Sequence, residues 1–128
     1  MSIPIQVSHG ELIDKITILT IKATRVSDPT KLQNIQCELQ LLTLAREVHV
    51  PPSAMVEELT CQLRSANELL WEIEDKLRDK ERNKTFDAEF IELARDVYRT
   101  NDRRAELKRA LNNLLGSGIV EEKTYKPY

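Results

Sequence analysis

An unbroken apolar seam between residues 56 and 77 constrains this chain more than any other feature. Val56, Leu59, Leu63, Ala66, Leu70, Ile73 and Leu77 follow one another at alternating steps of four and three. That spacing keeps every apolar side chain on one stripe of an α-helix, and the two-residue period of a half-buried strand cannot produce it. A helix carrying such a stripe must bury it against other helices. A second periodic run, Phe90, Ala94, Val97, Leu107, Leu111 and Leu114, follows a break at Asn83 to Thr85. The two runs predict a long antiparallel helical hairpin as the second half of the chain.

The first half supplies two more helices. Ser8 and Glu11 have the spacing of a capping box at the start of a helix that faces inward with Leu12, Ile16, Leu19, Ala23 and Val26. Asp28-Pro29 starts the next helix, in which Leu32, Ile35, Leu39 and Leu42 form the apolar side, and Pro51-Pro52 ends it. Ser53 and Asp87 cap the hairpin helices, and Gly116 stops the last one. The expectation is one all-α domain over residues 1–128, with helices at about 9–26, 29–48, 54–82 and 87–115. It is an antiparallel bundle of about four helices built on the C-terminal hairpin, with short extended tails at both ends.

Composition narrows the function classes. Nineteen basic and 21 acidic side chains are interspersed, leaving a net charge of −2 and no one-signed face for nucleic acid. Three glycines leave little from which to build a phosphate loop. No apolar run is long enough to span a membrane, and the N-terminus lacks the pattern of a signal peptide, so a cytoplasmic location is expected. Cys37 and Cys61 read as reduced, buried thiols. With two histidines, His9 and His49, no imidazole-based metal cluster and no cofactor are expected.

Charges along the hairpin suggest its register. About a turn near residue 85, Asp75 faces Arg95, Arg78 faces Glu92, Glu72 faces Arg99, Arg64 faces Glu106, Glu68 faces Arg103 and Arg82 faces Glu89. Such pairs set register and direction more than stability. They also occupy Glu72-x-x-Asp75 and Glu89-x-x-Glu92. Those elements look like the magnesium carboxylates of all-α nucleotide pyrophosphohydrolases, but in reversed order.

The inward stripe of the last helix breaks between Val97 and Leu107. Continuing its steps places Asn101, then Arg104 or Ala105, then Lys108 on the seam, with Asn67 or Glu68 near Asn101 and Lys22 and Asn34 at about the same level. One reading is a buried polar layer that fixes register or oligomeric state. The other is a site for an anionic small molecule held by Lys22, Arg104 and Lys108, with Asn101 orienting it, Asp102 beside it and Trp71 as a wall. His9 and Gly10, at the start of the first helix, could also present free backbone N–H groups to an anion.

Val7-Ser8-His9-Gly10-Glu11-Leu12-Ile13-Asp14-Lys15-Ile16-Thr17-Ile18-Leu19, Leu70-Trp71-Glu72-Ile73-Glu74-Asp75-Lys76-Leu77-Arg78 and Phe90 to Arg104 resemble a family of short bacterial proteins whose domain has no known function. The resemblance covers most of the chain and is weakest from Cys37 to Ala66. It implies no particular activity, and the association of such proteins with glycan-building enzymes implies at most an accessory role in surface-glycan biosynthesis. A second uncharacterised family is similar only in the Leu-Trp and Glu-Asp helix and a later Arg/Asn/Asp segment. Leu12-Ile13-Asp14-Lys15, with Lys22 and Arg25, resembles more loosely the all-helical chorismate mutases, which hold a dicarboxylate between cations. The leading expectation is a helical module that forms a homo-oligomer or docks on a protein partner. The rival is a small all-α enzyme or binder for an anionic metabolite.

Overall fold

The computed structural model describes residues 2–128. Four helices follow in order: α1 (His9–Arg25), α2 (Pro29–His49), α3 (Ala54–Arg82) and α4 (Ala88–Leu115). Each starts at a side chain that accepts from the first-turn amides. The Ser8 hydroxyl accepts from Glu11 N–H, Asp28 from Thr30 and Lys31, Ser53 from Val56, and Asp87 from Phe90. α4 ends at Gly116, whose φ of 65° is the left-handed cap that favours glycine. The capping box at Ser8 is only half formed, because the Glu11 carboxylate turns to Lys108 instead of its own helix start.

α3 and α4 form the hairpin, and α1 lies across both of them. The core sits at the end of the hairpin away from its turn. There Ile13 of α1, Val56 and Leu63 of α3, and Leu107 and Leu111 of α4 close on Val50 from the proline connection. Side chains as fully enclosed as Ile13, Leu63 and Leu111 each contribute about 1.5–3 kcal/mol.

α2 departs from the expected four-helix core. It packs on α1 alone and reaches neither hairpin helix with a helix-to-helix face. α1 is therefore covered on two sides, which is why Leu12, Ile16 and Leu19 are buried as well as Ile13, Asp14, Thr17 and Ile21. α2 itself has no buried residue along its 21 positions. Leu32, Ile35, Leu39 and Leu42 are half-buried, while Leu41, Leu44 and Val48 are 64%, 53% and 77% exposed. Asn34 is exposed and so does not enter a polar layer. Both cysteines are free and exposed, contrary to expectation: Cys37 is on the outer side of α2, and Cys61 is on a solvent face of α3.

The six cross-hairpin ion pairs do not form. Among the described residues Arg95 pairs with Glu92, Arg99 with Glu92 and Asp96, Arg64 with Glu68, Arg78 with Glu74, Arg103 with Glu106 and Arg82 with Asp79, all within one helix. Neighbours three and four residues apart on a helix are already adjacent, so an exposed arginine reaches its own helix first. Glu72 is bound instead by Arg25 of α1, at 3.7 Å. Across the hairpin the polar ties are Gln62 with Arg103 at 2.7 Å and Lys80 with Asp87 and Glu89 at 3.2 and 3.3 Å. The Asp87 carboxylate is held below its usual range by the Phe90 amide and by Lys80, as a capping carboxylate beside a cation should be.

Candidate functional site

The polar residues that the structure buries gather along the line where α1 meets the hairpin. Ser8, Asp14, Thr17, Asn67, Thr100 and Asn112 are each no more than 8% exposed. At the centre is Asp14, 2% exposed. Its Oδ1 accepts from Asn67 Nδ2 at 2.9 Å and its Oδ2 from Arg104 at 2.7 Å. Asn67 also donates to Thr17 Oγ1, whose hydroxyl in turn donates to the Asp14 carbonyl. The second guanidinium nitrogen of Arg104 reaches Asn101 Oδ1 at 3.0 Å. A carboxylate removed from water is thus matched by a cation and an amide on two other helices.

One and two turns along α4 the seam continues. Lys108 binds Glu11 at 2.6 Å and Glu121 of the C-terminal tail at 3.0 Å. Burial works against the charge on Lys108, and the hydrogen bonds it donates to Glu11 and Glu121 outweigh it, so its pKa is raised. For Glu121 burial opposes ionisation, and Lys108 and Ser8 outweigh it, so its pKa is lowered. At Gly10 the helices nearly touch: a Cβ there would lie 2.5 Å from the Lys108 carbonyl oxygen. The Gly10 N–H donates to Asn112 Oδ1 at 2.7 Å, and the His9 N–H to Ser117 Oγ at 3.4 Å. The amides at the start of α1 are therefore taken up by the chain itself and are not free for an anion.

The seam of α4 runs through Leu93, Val97, Thr100, Arg104, Leu107 and Leu111, one position away from the phase read at Ala94 and Asn101. α4 touches α3 on one side and α1 on the other, so two adjacent stripes are covered and periodicity alone does not separate them. Of the residues singled out beforehand, Asn101 and Arg104 meet in the network. Lys108 lies on the same line but holds its own two carboxylates. Asp102 binds Lys123 and the Tyr128 hydroxyl of the tail, and with Asn101 and Lys108 it lines a groove against that tail. Lys22, in the last turn of α1, belongs neither to the network nor to the cleft beside it. The loosely expected cage of cations does not assemble, since Arg25 lies 5.8 Å from the centroid of the Trp71 ring and pairs with Glu72.

That cleft, about 350 Å³, opens between α1 and α3. Ile18, Ile21 and Leu70 line it with Trp71, and Glu74, Asp75, Arg78 and Arg104 contribute charge of both signs. Arg104 Nε and, further along the seam, His9 Nδ1 are buried without a partner. Among the described residues no three of the His, Cys, Asp and Glu side chains come together as a metal site, and no helix is long and apolar enough to cross a membrane. Sequence reasoning missed Asp14 and Thr17 as network members. The available signal was an aspartate among Leu12, Ile13, Ile16 and Ile18, where a charge needs a buried partner.

The model of a family described as "Family of unknown function (DUF6165)" matches residues 3–128. The chain belongs to this family. Membership spans nearly the whole chain and carries no activity with it. No curated protein and no solved structure matches.

Proposed function

We propose that this member of the family is a helical interaction module, with a seam that fixes its packing and a helix, α2, that meets a protein partner. The observation that carries the reading is the uncovered apolar stripe of α2, with Leu41, Leu44 and Val48 more than half exposed. The seam supports it by being self-neutralised: Arg104 and Lys108, the cations best placed for an anion, each hold a carboxylate of the same chain. Anchors of this kind at helical spacing are how a helix docks on another protein. An accessory role in surface-glycan assembly is part of the same proposal and rests on the resemblance alone. Affinity capture with the wild-type chain and with Leu41→Glu/Leu44→Glu tests the reading. A partner held by the first and lost by the second is expected, and equal recovery by both contradicts it.

One observation favours a second reading, a binder of an anionic metabolite at the cleft. Trp71 gives a cavity of ligand size an aromatic wall, and Arg104, which also lines it, has a buried Nε with no partner in the chain. In that reading Trp71 and Arg104 make the contacts, and Lys22, Asn101, Asp102 and Lys108 lie outside the lining. Thermal shift against sugar nucleotides, phosphates and dicarboxylates tests it. Stabilisation that Trp71→Ala abolishes would support it, and no stabilisation by any of them would reject it.

A further inference from the structure

The geometry points to a second copy of this chain as the partner of α2, packed antiparallel across a two-fold axis near Leu41. This rests on the interaction reading above and names its partner. Cys37, Leu41, Leu44 and Val48 are spaced four, three and four residues apart, the step pattern of a helix-to-helix seam. They lie on the side of α2 away from the Leu32, Ile35, Leu39 and Leu42 stripe that rests on α1. A helix apolar on two opposite sides belongs inside a bundle, as α1 does, yet α2 has no buried residue. Pairing two copies through α2 makes a row of four helices, the α1–α2 pair of one copy against the α2–α1 pair of the other, in which the outer stripe becomes buried.

Charge and size favour the chain itself over an unrelated surface. From Gln33 to Ala45 the only charged residue is Glu38, in a chain that is 31% charged. Depletion of charge marks the centre of an interface, and a neutral stripe meets its own copy without repulsion. Direction follows from the flanks. A parallel pair sets Glu38 against Glu38 and Glu47 against Glu47, whereas the antiparallel pair brings Glu38 to the level of Leu44 of the second copy and Glu47 to that of its Ile35. The chain's own tail does not compete for the stripe, because Glu121, Glu122 and Lys123 are tied to α4. A 21-residue helix is about 31 Å long, and two such faces bury on the order of 1,000 Å² in total. That is the lower bound for a specific interface and fits a weak, reversible dimer.

Sedimentation equilibrium of the full chain under reducing conditions, from about 1 to about 500 µM, tests this. The mass should rise from 14.8 kDa towards twice that value. Leu41→Glu/Leu44→Glu should remain monomeric at every concentration with unchanged helical circular dichroism, since both positions are exposed. Direction is read by oxidation: Leu41→Cys in a Cys37→Ser/Cys61→Ser background should cross-link at the two-fold axis. Native Cys37 in a Cys61→Ser background should not, because the two copies of Cys37 are offset by about 12 Å along the axis, beyond disulfide reach. Efficient cross-linking through Cys37 would overturn the antiparallel arrangement. A wild-type chain that stays monomeric throughout would overturn the second copy as partner. If such a monomer still captured another protein through Leu41 and Leu44, the interaction reading would stand without the dimer. If the captured set were indifferent to those residues, both would fall.

Discussion

Replacing Arg104 by methionine keeps most of the side-chain volume and removes the cation that faces Asp14. The Asp14 side chain is 4% exposed and Arg104 21% exposed, so the stranded carboxylate would keep only Asn67 as a side-chain partner. Breaking a buried pair from one side costs roughly 3–5 kcal/mol, and the partial exposure of Arg104 places the expected loss near the low end, about 3 kcal/mol. For a chain of this size that corresponds to a fall in Tm of about 12 °C. Asp14→Asn in the same background removes the stranded charge while keeping an acceptor for Asn67, and the double variant should recover about 2 kcal/mol of the loss. Urea unfolding followed at 222 nm measures all four members of the cycle. If Arg104→Met were as stable as wild type, or if Asp14→Asn gave no rescue, the seam would not be a paired charge layer and the argument built on it would fail.

Three further outcomes follow from the same geometry. Gly10→Ala pushes a methyl group into the Lys108 carbonyl, 2.5 Å away, and should lower stability by about 1–3 kcal/mol in the same assay. Leu63→Ala, at a position with no exposed surface, should cost about 2–5 kcal/mol and retain helicity. The Lys108–Glu121 clasp should be pH-dependent on both sides. The lowered pKa of Glu121 makes its contribution present above the ordinary value of 4.5 and lost as pH falls through the folded value. The raised pKa of Lys108 makes its contribution present below 10.5 and lost as pH rises through the folded value. Backbone nitrogen relaxation of residues 119–128, measured by NMR, should therefore show the tail gaining mobility on the acid side in wild type and no such step in Glu121→Gln.

Much of the scaffold was legible because it depends on local chemistry. The caps at Ser8, Asp28, Ser53 and Asp87 and the stop at Gly116 are read from single side chains and one backbone angle, and the structure has all five. The α3 seam was equally plain: Val56, Leu63, Ala66 and Ile73 are buried and Leu59, Leu70 and Leu77 half-buried, as the spacing predicts. Two kinds of information were not local. The phase of α4 depends on being shared between α3 and α1, which turned Thr100 inward and left Asn101 at the margin. The ion pairs depended on a competition: arginines on exposed faces found carboxylates one turn away before they found the opposite helix. Leu32, Ile35, Leu39 and Leu42 marked the side of α2 that rests on α1, but not which helix would cover it, and the expected bundle placed it beside the hairpin. The structure places it outside α1 with its second stripe uncovered. Asp14 was visible as a charge in an apolar run, yet its partners come from 53 and 90 positions away and could not be named from spacing.

Hydrogen–deuterium exchange along the chain, compared at low and high protein concentration, tests the central claim most directly. The account predicts that protection of α2, centred on residues 37–48, rises with concentration, while the seam residues of α1 and α4 are equally protected throughout. Exchange in α2 that does not depend on concentration, or protection that grows instead around Trp71 and Arg104, would contradict it.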